Sequence, residues 1–101
     1  MLPSFSSDIF YSNPDQASIE QMLELLGALE GFAGEMACLR ATPEEIDAIR
    51  VLTQQMHETY ENDERLSYYK INQSIHRSIV EFSKNEELIR SHERLNSRLY
   101  R

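Results

Sequence analysis

Apolar residues recur along the chain three and four positions apart, the spacing of one face of an α-helix. Asp15 or Ser18 can cap the first such segment. Its apolar stripe consists of Ile19, Met22, Leu26, Leu29, Ala33, Met36 and Ala37. Four further apolar residues widen that stripe, and they are Leu25, Ala28, Phe32 and Leu39. We therefore expect this helix to be buried on much of its circumference.

Three glycines, Gly27, Gly31 and Gly34, lie inside this first helix, roughly on one face. Each weakens a helix by up to ~1 kcal/mol relative to alanine, so a packing reason is expected. Close approach of another helix is the favoured interpretation, and room for a small ligand is the alternative.

The stretch "RATPEEIDAI" predicts the start of a second helix. Thr42 is the expected N-cap, Pro43 takes the first helical position, and Glu45 completes a capping box. The buried face of this helix is predicted to consist of Ile46, Ile49, Leu52, Met56 and Tyr60. The polar "ENDE" ends the helix, and Asn62 or Asp63 can cap the next one.

Two more helices follow. The apolar stripe of the third consists of Tyr68, Ile71, Ile75, Ile79 and Phe82, and the fourth carries Leu88, Leu95 and Leu99. A polar break near Asn85 separates them, and no segment alternates with the period of a strand. The sequence thus predicts an all-α, antiparallel bundle of about four helices over residues 16–101, preceded by an arm or linker over residues 1–15. Because the last helix reaches Arg101 without a stop signal, we expect the bundle to be the first part of a larger one.

Composition and charge narrow the function. The chain has 101 residues and a formal charge of -7, so it suits one small domain and repels phosphate backbones. No apolar run approaches the ~20 residues of a membrane span, and the N-terminus lacks the features of a signal peptide. Cys38 is the single cysteine, which favours the cytoplasm, and we expect it to be packed.

The basic residues Arg90, Arg94, Arg98 and Arg101 share one helical face. A solvated helix surface is the favoured interpretation, and a nucleic-acid stripe is the alternative.

Asn72 and His76 are the strongest candidates for a site, because residues four apart project from the same side of a helix. An imidazole suits zinc and other transition metals, but an amide is a weak ligand, so this pair is at most part of a metal site. A hydrogen-bonded histidine at the edge of the core is the favoured interpretation of His76, and a metal ligand is the alternative. His57 and His92 have no ligand-like neighbours in the sequence. Neither a Cys/His pair nor a glycine-rich phosphate loop is present, so the sequence does not predict an enzyme.

The order of "ELLGALEGFAGEMACLRATPEEIDAI", a polar "ND" and "NQSIHRSIVEFSKNEEL" resembles the FCD domain, over roughly Ile19 to Arg101. This is the helical effector-binding and dimerisation domain of FadR-type regulators in the GntR family of bacterial transcription factors. In the first helix Leu29 and Glu30 match the family's Leu-Glu pair, and Ala33 and Ala37 match its alanines. Leu26 stands where the family has an arginine, which weakens the expectation of a carboxylate effector held in the usual way.

The third helix of the family carries Asp, then Phe-His, and ends in Asn. Here Asn72 stands at the Asp position and Ile75 at the Phe position, whereas His76 and Asn85 match. Metal-binding members combine that Asp and His with two histidines of later helices, so the resemblance implies a divalent metal of the zinc or nickel type, with an incomplete site in this chain. The implied effector-pocket candidates are Leu26, Glu30, Ile75 and Ile79.

The resemblance implies an effector-sensing and dimerisation domain of a GntR/FadR-type regulator, without the DNA-binding winged helix in this chain. A small organic acid is the expected effector. We expect a homodimer, with the first or fourth helix at its interface, and no direct binding to nucleic acid or membrane. The alternative is a stand-alone helical dimerisation or interaction protein with a degenerate ligand site.

Overall fold

The structure is a computed structural model that describes residues 15–100. These residues form four α-helices and no strand, which confirms the predicted all-α class. The predicted N-terminal arm lies outside the described residues, apart from Asp15. The helices are α1 (Gln16–Arg40), α2 (Pro43–Glu61), α3 (Arg65–Phe82) and α4 (Glu86–Tyr100).

Local signals at the helix starts explain where α1 and α2 begin. Asp15 caps α1 by accepting a hydrogen bond from the Ser18 N–H at 2.8 Å. The predicted capping box of α2 forms in full between Thr42 and Glu45. Asn62 or Asp63 was the predicted N-cap of α3, and this prediction is wrong. Glu64 occupies the N-cap position, without a side-chain hydrogen bond.

The third helix is the centre of the arrangement. It packs against α2, α1 and α4, and α1 also packs against α4. The molecule measures 47 × 34 × 16 Å, so the helices form a thin slab. A slab of this kind covers only one face of each peripheral helix.

Two small apolar clusters hold the helices together. Met22 and Leu26 of α1 pack against Leu95 of α4 in the first cluster. The second cluster joins Ala33 of α1, Val80 of α3 and Leu88 of α4. Both clusters use the same face of α1, and this places the middle of that helix against α3 and α4.

Polar contacts fasten the turn between α3 and α4 to the rest of the slab. The Arg40 guanidinium donates a hydrogen bond to the carbonyl oxygen of Ser83 at 2.9 Å. The Lys84 ammonium lies 2.7 Å from a carboxylate oxygen of Glu45 at the start of α2. This hydrogen bond from Lys84, with a second from the Thr42 N–H, lowers the pKa of the Glu45 carboxyl group.

Several predicted burials are wrong. Leu25, Phe32 and Leu39 of α1 are exposed, Leu39 by 77% of its surface, and Ala28 beside them is exposed as well. No residue of α2 is buried within its described span, and Cys38 is exposed rather than packed. The thin slab explains these results, because among the described residues no helix covers the outer faces of α1 and α2.

The surroundings of the glycines in α1 also differ from the close helix approach that was the favoured interpretation. A Cβ atom added at Gly27, Gly31 or Gly34 meets no described atom within 4 Å. Close approach of another described helix therefore does not account for them. Open space at Gly27 agrees with the alternative, because this residue lines a pocket.

Candidate functional site

The carboxylate of Glu30 lies between two histidines and links three helices. One of its oxygens, Oε1, is 3.1 Å from Nδ1 of His76 on α3. The other, Oε2, is 2.9 Å from Nε2 of His92 on α4. Glu30 faces both helices because it follows the buried Leu26 by four positions on α1, one turn further along the same side.

The two histidines differ in their exposure to solvent. The His92 side chain is 5% exposed, whereas His76 is 42% exposed and Glu30 is 26% exposed. An ionised carboxylate offers only acceptors, so Nε2 of His92 must be the donor in the 2.9 Å hydrogen bond. Glu30 is thus the acceptor that a buried N–H group requires, and it still reaches solvent on one side.

A pocket of about 260 Å³ opens beside this carboxylate. Its lining consists of Leu23, Leu26, Gly27, Glu30, Asn72, Gln73, His76, Asn96 and Tyr100. The amides come from α3 and α4, and the apolar part comes from α1. Among the described residues that line this pocket, Glu30 is the only carboxylate, and none is a lysine or arginine. The pocket therefore offers amides, an imidazole and an anion, but no strong cation.

Most of the site residues predicted from the sequence converge on this pocket. Asn72 and His76 line it together, and Leu26 and Glu30 face them from α1. Ile75 and Ile79 are not among its lining residues, and Ile79 packs instead against the second apolar cluster. Their roles in binding an effector remain predictions.

Sequence reasoning missed His92. Its contact with Glu30 spans 62 positions in the sequence. A weak signal was present, because His92 lies four residues after Leu88 and three before Leu95, on the buried stripe of α4. A polar residue on such a stripe needs a buried partner.

The residues present do not fit the divalent metal centre of the family. Within residues 15–100, no group of three or more His, Cys, Asp and Glu side chains is placed to hold a metal ion. Asn72 supplies a neutral amide where a carboxylate would be needed, and the two oxygens of Glu30 point to two different imidazoles.

Comparison with known proteins gives one match. The sequence model described as the FCD domain matches residues 21–101. No curated protein and no solved structure matches the chain. In the described part of the chain, every helix is too short or too polar to cross a membrane.

Proposed function

The chain belongs to the FCD domain family, and on this premise we propose that it is the effector-sensing and dimerisation domain of a GntR-type bacterial transcriptional regulator. The match over residues 21–101 is the observation that carries this proposal. The charge of -7 supports a role in which another domain contacts DNA.

The position of the pocket supports a sensing role. Glu30 belongs to α1, whereas His76 and His92 belong to α3 and α4. A ligand that binds Glu30 competes with the imidazoles or adds to their contacts, so it changes the relative stability of different helix arrangements. The ligand shifts the equilibrium between two helix arrangements only to the extent that it binds one of them more tightly than the other.

The exposed stripe on α1 supports a role in dimerisation. Leu25, Phe32 and Leu39 follow one another at seven-residue intervals and are all exposed. Exposed apolar stripes of this kind favour association. In this proposal the stripe contacts a second copy, and effector binding at Glu30 on the same helix alters the dimer.

Sedimentation equilibrium tests the dimer. We expect a dimer at micromolar concentration, and Phe32→Glu should shift it to monomer. Val51→Glu is the matched control, because Val51 is a similarly exposed apolar residue on α2. A wild-type monomer at high concentration, or an equal effect of both variants, contradicts this interface.

A thermal-shift screen of small organic acids, amines and sugars tests the sensing role. At least one compound should raise the melting temperature and move the ring NMR signals of His76 and His92. If no compound does so, the sensing role is wrong. In the gene, a winged helix-turn-helix encoded upstream is also expected, and its absence would contradict the regulatory role of this copy.

A stand-alone helical interaction protein is the second candidate. It is favoured by the exposed faces of α1 and by the lack of a buried residue in the described span of α2. A stable dimer that shows no thermal shift with any compound would support this candidate over the first.

A further inference from the structure

We infer that the Glu30 pocket takes a small ligand that carries a protonated amine and hydroxyl groups, and that it disfavours carboxylates. This inference rests on the proposed sensing function and specifies its ligand class. It departs from the organic acid that the family resemblance implies. The charges and hydrogen-bonding groups of the pocket carry the argument.

The charge of the pocket favours a cationic ligand. Glu30 is the only carboxylate among the described lining residues, and no lysine or arginine accompanies it there. A ligand carboxylate would meet this anion without a lysine or arginine of the pocket lining to pair with. An ammonium group would instead gain a charge-assisted hydrogen bond to Glu30.

The Glu30 carboxylate can accept further hydrogen bonds from a ligand. A carboxylate has about four lone-pair sites. Each oxygen faces one imidazole nitrogen, at 3.1 Å for His76 and 2.9 Å for His92. About two sites therefore remain, and the 26% exposure of the Glu30 side chain makes them reachable from the pocket.

The remaining walls of the Glu30 pocket suit hydroxyl groups of a ligand. Asn72, Gln73 and Asn96 carry amides, and Tyr100 carries a phenolic hydroxyl group. Amides donate and accept hydrogen bonds, so they suit ligand hydroxyl groups, which also do both. Amino sugars and hydroxylated amines combine this chemistry with an ammonium group.

Two cations lie close by but in a different cavity. Lys70 and Arg77 line an adjacent groove of about 490 Å³, which shares Gln73, Asn96 and Tyr100 with the Glu30 pocket. An anion attracted to this chain would be drawn to that groove. The ring signal of His76 distinguishes the two locations, because His76 lines the Glu30 pocket and does not line that groove.

Isothermal titration calorimetry on the 101-residue chain, with NMR of the histidine rings, tests the inference. Glucosamine, glucose and gluconate are similar in size and are cationic, neutral and anionic at neutral pH. Putrescine is a linear diamine that separates amino sugars from simple amines. We expect glucosamine to bind about tenfold tighter than glucose and tighter than putrescine, with movement of both ring signals, and gluconate to bind weakest.

Two variants test whether the preference for an amine arises in the Glu30 pocket. Glu30→Gln should reduce the advantage of the amine to within about twofold, since it removes the charge and keeps the shape. Glu35→Gln is the matched control, because it removes the same charge from an exposed position on α1. Gln73→Arg should move the preference toward gluconate, and it tests the idea even if Glu30→Gln does not fold.

Three results overturn the inference. Gluconate could bind tighter than both amines and move the histidine signals, in which case the sensing role stands and only the ligand class is wrong. Alternatively, Glu30→Gln and Gln73→Arg could both leave the preference unchanged. If glucosamine does not bind, the inference is also overturned, and the sensing role then depends on the wider thermal-shift screen.

Discussion

Replacing Glu30 with leucine tests the physical centre of the site. The substitution removes the carboxylate that accepts a hydrogen bond from His92, whose side chain is 5% exposed. A buried N–H group left without an acceptor costs about 1–3 kcal/mol. His76 is 42% exposed and can turn to water, so the loss of its contact with Glu30 costs less than the loss of the buried contact of His92.

We therefore expect Glu30→Leu to lower the free energy of unfolding by about 2 kcal/mol. For a domain whose total stability is on the order of 5–15 kcal/mol, this is a large loss. Urea unfolding followed by circular dichroism at neutral pH measures it, and an unchanged denaturant slope shows that the comparison is valid. Glu35→Leu is the control, because Glu35 is an exposed glutamate of the same helix.

Double-mutant cycles divide the effect between the histidines. The coupling energy between Glu30 and His92 should exceed that between Glu30 and His76 by about 1 kcal/mol. A loss below about 0.5 kcal/mol for Glu30→Leu, or equal coupling to both histidines, would refute the reasoning. Such a result would mean that His92 finds another acceptor or reaches water.

Three further predictions concern the helices. Thr42→Ala should lower the free energy of unfolding by about 1 kcal/mol in urea melts, because the capping box of α2 loses its side-chain acceptor; no change would show that the box is not stabilising. Gly31→Ala should raise it by about 0.8 kcal/mol, since open space surrounds an added Cβ atom; a loss of stability or of the dimer would reveal a partner at this face. The hydrogen bond from Lys84 is the chief cause of the lowered pKa of Glu45 in the folded state. This contact therefore stabilises the fold at pH values above 4.5, the ordinary pKa of the group, and the stabilisation is lost as the pH falls through the lower, folded-state pKa. Wild type should accordingly exceed Glu45→Gln in melting temperature at neutral pH and match it in acid, and a constant difference across pH would contradict this.

The helices themselves were predictable because their signals are local. The Asp15 cap and the Thr42 capping box depend on residues three positions apart, and both form as expected. Burial was less predictable. On α1 the sequence offers two apolar stripes, one through Leu26 and one through Phe32, and only the first is covered by α3 and α4. Periodicity identifies an apolar face, but it does not identify what packs on that face.

The candidate site was likewise predictable only in part from the sequence. The proximity of Asn72 and His76 follows from their spacing on one helix. The contact of His76 with Glu30, and that of His92 with Glu30 across 62 positions, depend on how α1 docks against the other helices. No local pattern encodes such a contact.

By itself, the sequence determined four helices and the starts of α1 and α2, because hydrogen bonds and apolar spacing within a helix are local in the chain. The order of its motifs also determined the family to which the chain belongs. Only the tertiary structure decided that Glu30 joins two histidines, that His92 is buried, and that the stripe through Leu25, Phe32 and Leu39 remains exposed. Those outcomes depend on which helix faces meet, and many distant contacts together determine that choice.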